Sequence, residues 1–267
     1  MLTRLVSVPL ACVAISALPA SAALAQARGD FHWEGAVAAG GEVSIHNVNG
    51  DVKVTPSSTG RVEVIGTKHG SGRDITAEVH QTSRGLIVCV VFQDADTRCD
   101  EDGYSMNSHR NRGDNNWNDA SMDLQVTIPA NLTVAASSVS GDVDITGAQG
   151  SVSGHSVSGD VRMMHLRASS VDANSVSGDI DVQIDELSGR GDLSFRTVSG
   201  DVDITVPKQF DADISMSTVS GTMDSDYAMT LTNGRTSRRN IQARIGAGGR
   251  RLELNTVSGD VKIRSNR

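Results

Sequence analysis

The chain has 267 residues, a formal net charge of −8, 27 glycines and only 3% aromatic residues. That length allows one or two domains, with a core built from Val, Ile, Leu, Ala and Met. The acidic balance disfavours nucleic-acid binding, which needs a basic footprint, and past residue 27 no apolar run is long enough to span a bilayer as a helix.

Residues 1–25 read as a secretory signal peptide: Arg4 is the positive flank, Leu5 to Leu18 the apolar stretch, and Ala23-Leu24-Ala25 an A-x-A cleavage site, with Ala22 and Ala27 as alternatives. Losing Arg4 takes the charge from −8 to −9. Cys12 sits too early, and behind Pro9, for a lipobox. A leader without an evident anchor implies the periplasm, secretion or the cell envelope.

Residues 28–130 form a less regular β region. HWEGAVAAGGEVSIHNVNGDVKV (32–54), RVEVIGTKH (61–69), DITAEVHQ (74–81) and GLIVCVVF (85–92) alternate as strands, with a hairpin among them. The Asp/Asn-rich stretch 94–120 reads as a long mobile loop, and DLQVTIPANLTV (123–134) restarts regular structure. In an oxidising compartment Cys89 and Cys99, with nine residues between them, are expected to pair. Closing so short a loop contributes about 2–3 kcal/mol.

Residues 131–267 carry a repeat. Aligned on the residue after glycine, Asp142, Asp160, Asp179, Asp201, Thr222 and Asp260 are separated by steps of 18, 19, 22, 21 and 38. A period near 20 signals a solenoid, and the last step equals two periods of 19. Valine stands three residues before each anchor (Val139, Val157, Val176, Val198, Val219, Val257), and an apolar residue follows it, from Val143 to Val261. One strand parity through the motif places Val, Gly, Val and Ile inward, with Ser and Asp outward. The expected fold is an all-β parallel β-helix of about 18–22-residue coils. The irregular N-terminal strands would cap one end, and the charged tail RSNR would blunt the other.

Chemistry is sparse. Asp142, Asp160, Asp179 and Asp201 would form a ladder up one edge, able to recruit Ca²⁺, although a carboxylate beside glycine more simply shapes a bend. Asp94, Asp96, Asp100, Glu101 and Asp102 form a loose acidic set that fails the EF-hand frame, because Arg98 takes the first ligand position. Seven scattered histidines include no H-E-x-x-H, and no serine lies in G-x-S-x-G. Tyr104 and Trp117, in the long loop, are the best ligand-contact candidates, with loop anchoring as the simpler role. Arg235, Arg238, Arg239, Arg244, Arg250 and Arg251 form a late basic cluster, and Arg28-Gly29-Asp30 is a chance tripeptide.

The repeated V-S-G-D-V-x-I, the early GGEVSIHNVNGDVKV and the closing IGAGGRRLELNTVSGDVKI (245–263) resemble a bacterial family of β-strand-repeat, putative adhesin domains of unknown function. The resemblance covers about 31–267, with 94–120 as an insertion. It implies an envelope-associated parallel β-helix and transfers no catalytic residue and no cofactor. The expectation is an exported, non-enzymatic adhesin, scaffold or binding module contacting an envelope protein or glycan. The alternatives are a polysaccharide-active β-helix enzyme, or an envelope-stress accessory protein that binds a partner through 94–120.

Overall fold

The computed structural model describes residues 30–70, 75–92, 96–100, 103–107, 120–232, 237 and 239–266. The leader, Arg28, Gly29, Trp117, Arg235 and Arg238 lie outside them. The described residues are all-β and solenoid-like, without a helix. Each turn of the stack carries a strand on a front face and one on a back face. Parallel pairing joins successive turns in register, as in Val134↔Val152 in front and Val143↔Val161 behind. The strands arise where β-branched residues alternate with polar ones. Between the faces lies a core of fully buried Val43, Ile45, Val143, Ile145, Leu166, Ile184, Phe195, Val202, Leu254 and Val261. Each such side chain contributes about 1.5–3 kcal/mol.

The order of turns in space is not their order in sequence. The front strand Arg251–Asn255 lies between Leu193–Arg196 and Ala212–Ser217. Behind it, Val261–Ser265 lies between Val202–Val206 and Met223–Ser225. The last repeat is therefore wedged inside the stack, and the Thr222 copy lies beyond it, closed in front by antiparallel Asn240–Ile245 and Met229–Leu231. The RSNR tail consequently does not blunt an edge; Arg264 reaches Asp203 on the neighbouring turn at 2.8 Å. The opposite end mirrors this. Glu42–His46 sits between Gly85–Phe92 and Thr133–Ser140, and Val52–Pro56 between Ser121–Ile128 and Val143–Thr146. Residue 130 is thus no break in the sheet, since strands from both sides of it share one core. Antiparallel strands close this end: Val62–His69 and Phe31–Gly35 behind, Ile75–Gln81 in front.

The stretch 94–120 is not wholly loop. Asp96–Asp100 and Gly103–Asn107 pair antiparallel as a hairpin.

Candidate functional site: the corner columns

Each turn passes from front face to back face through the V-S-G-D corner, and the corner resets the strand parity. Along Thr133–Ser140, Val134, Ala136 and Ser138 are buried while Val139 is half exposed. The glycine then takes φ between 151° and 159° in the six later copies, a region that L side chains rarely adopt. After it, Val143 and Ile145 are buried again. A Cβ on any of these glycines would strike the glycine carbonyl oxygen of the adjacent turn. The expected single parity is therefore corrected: the valine three before the anchor points out, and the hydroxyl residue one position earlier points in.

That inward residue does specific work. Ser138, Ser156, Ser175, Thr197, Thr256 and Thr218 are buried, and each donates its hydroxyl at 3.0 Å to a glycine carbonyl of the neighbouring turn. At the hairpin end Asn47 donates to Gly50 and Met122 carbonyls instead. A buried carbonyl without a donor is costly, which explains the polar residue in an apolar core.

The aspartates form a second column. Oδ1 of Asp51, Asp142, Asp160, Asp179 and Asp201 accepts the backbone N–H of the next anchor at 2.8–2.9 Å. Asp260 closes the series by accepting from Thr222 N–H at 2.8 Å. That hydrogen bond holds the Asp260 carboxyl below its ordinary range. The terminal turn has no further turn to hold, and threonine stands at its anchor position. Beside this column Asp160, Asp179, Asp181, Asp201, Asp203, Arg162 and Lys262 line a shallow cleft of roughly 250 Å³. Burial and then Asp203 push the Asp181 carboxyl up, against the pull of Arg162 and Arg264. Among the described residues, no three His, Cys, Asp or Glu side chains converge so as to hold a metal ion.

The outward valines make a third column. In spatial order Val139, Val157, Val176, Val198, Val257 and Val219 are 45–55% exposed. At the hairpin end the same column is covered, with Val48 at 9% exposure and Ala120 buried. A row of apolar side chains in register, at about 4.8 Å per rung, is the most regular exposed feature of the stack.

The hairpin lies against the outer side of the end turn. Cys89 and Cys99 are joined, and with Ile87 and Val91 they form a small apolar cluster outside the main core. Tyr104 packs there, half buried, and donates its hydroxyl to the Val90 carbonyl at 3.2 Å. Its ring stacks on His46 with centroids 5.8 Å apart, and burial pushes the phenol up to about 12. Burial also holds His46 below the usual imidazole value, with Glu42 opposing and His155 adding to the depression. Asp94, Glu101 and Asp102, and the side chain of Asp96, lie outside the described residues; Asp100 faces Arg98 at 3.4 Å.

Next to the valines on the front face, Ser153 Oγ lies 2.7 Å from His155 Nε2, a pair that spacing alone did not single out. It is not an activated nucleophile. The Asn174 amide nitrogen donates to Asp172 at 2.8 Å and lies 3.0 Å from His155 Nδ1. Nδ1 therefore accepts, and the ring proton sits on Nε2, facing the serine it would have to deprotonate. Of the basic cluster's described residues, Arg239, Arg244 and Arg251 are exposed and Arg250 is buried. Arg244 pairs with Asp213 at 2.7 Å and Arg251 with Glu253 at 3.0 Å. Arg250, 6% exposed, points its guanidinium at the carbonyls of Ser169, Ser188, Gly189 and Gly191.

The Toastrack DUF4097 family matches residues 105–264, well over half of the chain. The chain belongs to the Toastrack DUF4097 family. The resemblance carried by the V-S-G-D-V-x-I repeat holds at the level of the family, a domain of unknown function. Two solved structures are similar to this Toastrack chain. A putative cell adhesion protein from Clostridium sporogenes is 10% identical, with a TM-score of 0.47, covering 88% of this chain and 99% of its own. A putative adhesin from Bacteroides fragilis is 12% identical, with a TM-score of 0.39, covering 88% and 96%. No curated protein matches.

Proposed function

We propose that this Toastrack protein is a non-enzymatic binding or scaffold module of a bacterial envelope. In this reading it is a parallel β-helix with coils of about 18–22 residues, exported through residues 1–25 and contacting an envelope protein or glycan. The exposed valine column carries the reading. The inward hydroxyls, glycines and aspartates of the repeat hold one turn to the next, and the valine is the repeated apolar side chain left facing solvent. A rigid row of apolar side chains suits recognition of an extended surface more than chemistry, which needs groups converging on a point. The tautomer at His155 supports the same view.

The test is retention of envelope components by the immobilised protein, with and without calcium, for wild type and Val176→Lys/Val198→Lys. Retention that the double substitution abolishes supports the proposal. Equal retention by both proteins, or turnover of an envelope polysaccharide by wild type, refutes it. Because every Oδ1 in the aspartate column already serves a backbone N–H, calcium is expected to change neither retention nor melting temperature.

A further inference from the structure

We propose that the valine column is a contact between two copies of this chain, packed side by side with their stacks parallel. The inference rests on the binding reading above and names the partner. Six valines, each about half exposed, run unbroken from Val139 to Val219. Together they offer roughly 400 Å² of apolar surface, the size of the largest patch on an ordinary monomer. Where the column meets the rest of its own chain it is buried, at Val48 and Ala120, so this corner accepts a cover.

A second copy matches the column rung for rung, because both share one spacing. A stable contact wants roughly 800 Å² per partner, about twice what the valines offer, so the proposed contact includes the flanking columns. On one side of the valines stand exposed Ser140, Ser158, Ser177, Ser199, Ser258 and Ser220. On the other stand Ser137, His155, Asn174, Arg196 and Asn255.

Charge sets the orientation. The aspartate column lies on the serine side only. A two-fold axis parallel to the stack brings the aspartate column of one copy toward the Ser137, Asn174 and Asn255 side of the other, where Arg196 is already paired with Glu253 at 2.9 Å. Reversing one stack would set carboxylates against carboxylates, which is repulsive. The parallel arrangement places residue 176 of one copy opposite residue 176 of the other.

Sedimentation of the purified chain over a concentration series tests the association. The expected result is a reversible dimer whose Kd rises at least about tenfold in Val176→Lys/Val198→Lys, with an unchanged circular dichroism spectrum. Should the lysine variant fail to fold, Val176→Thr/Val198→Thr serves, and weaker association is again expected. Val176→Cys and Val139→Cys report orientation: each should cross-link to itself. Cross-linking of Val139→Cys only to Val219→Cys in a mixture would overturn the parallel arrangement. A chain monomeric at roughly 100 μM, or a dimer indifferent to both double substitutions, overturns the inference. A monomer that loses an envelope partner through these substitutions overturns the self-association and leaves the binding function standing.

Discussion

The corner makes a prediction in which two adjacent residues exchange their expected roles. Thr197 and Val198 stand side by side, and a single parity through the motif would bury the valine and expose the threonine. In the structure Thr197 is 4% exposed and donates to the Gly178 carbonyl at 3.0 Å, whereas Val198 is 46% exposed. Thr197→Val keeps the shape and removes the donor, leaving the Gly178 carbonyl without the hydroxyl. The cost is that of an unsatisfied buried acceptor, about 1–3 kcal/mol. For a domain of this size that corresponds to roughly 3–9 °C in melting temperature. Val198→Thr changes a half-exposed position and should stay within about 0.5 kcal/mol. Urea unfolding by circular dichroism, at protein concentrations low enough to keep the chain monomeric, gives both values. If Val198→Thr destabilises more than Thr197→Val, the parity reset at the glycine corner is wrong.

Three further predictions concern the same stack. Gly178→Ala drives a Cβ into the Gly159 carbonyl and should cost about 2–4 kcal/mol; a neutral result by urea unfolding would contradict the glycine column. Arg250→Met strips the donors from the carbonyls of Ser169, Ser188, Gly189 and Gly191, and should cost about 2–4 kcal/mol. Hydrogen exchange should then show the loss of protection centred on Arg251–Asn255. Burial holds His46 below its ordinary value of 6.5, so below that pH the unfolded ring takes up a proton that the folded ring resists. Stability from this site is therefore full above about 6.5 and declines as pH falls toward the folded value. The urea midpoint of wild type should drop between pH 7.5 and 5 by more than that of His46→Gln, and equal drops would refute the buried neutral ring.

Periodicity was legible because stacking repeats the same environment in every turn. The anchors from Asp142 to Asp260 announced a solenoid-like all-β chain, and the strands before residue 92 stood out by alternation. Parity within the motif was not legible from V-S-G-D alone. Glycine at positive φ lets the chain change face without a change in hydrophobic pattern, and only the preceding alternation, Val134-Ala136-Ser138, carries the correct phase. The order of turns was also hidden. A 38-residue step looks like a skipped copy, yet the segment between forms the end of the stack, where Thr222 and Ser225 depart from the motif. The hairpin escaped because Asp/Asn-rich composition reads as loop; the Cys89–Cys99 pair was expected, but the stacking of Tyr104 on His46 depends on an outward position that only the fold defines.

The wedged final repeat bears on how the chain can be assembled and altered. Strands Ala212–Ser217 and Met223–Ser225 have no direct rung to rest on beneath them until residues 251–265 arrive. Parallel rungs up to the Val202–Val206 turn find partners earlier in the chain, whereas the rung beneath these two strands comes only from residues 251–265. The closing segment acts as a keystone: inserted late, between neighbours that preceded it in synthesis. Removing it would excise a rung from the interior rather than shorten the stack. Duplicating it would not lengthen the stack either, because neither end has the form of a repeat. Unlike open-ended repeat arrays, this architecture has a fixed number of turns written into its topology.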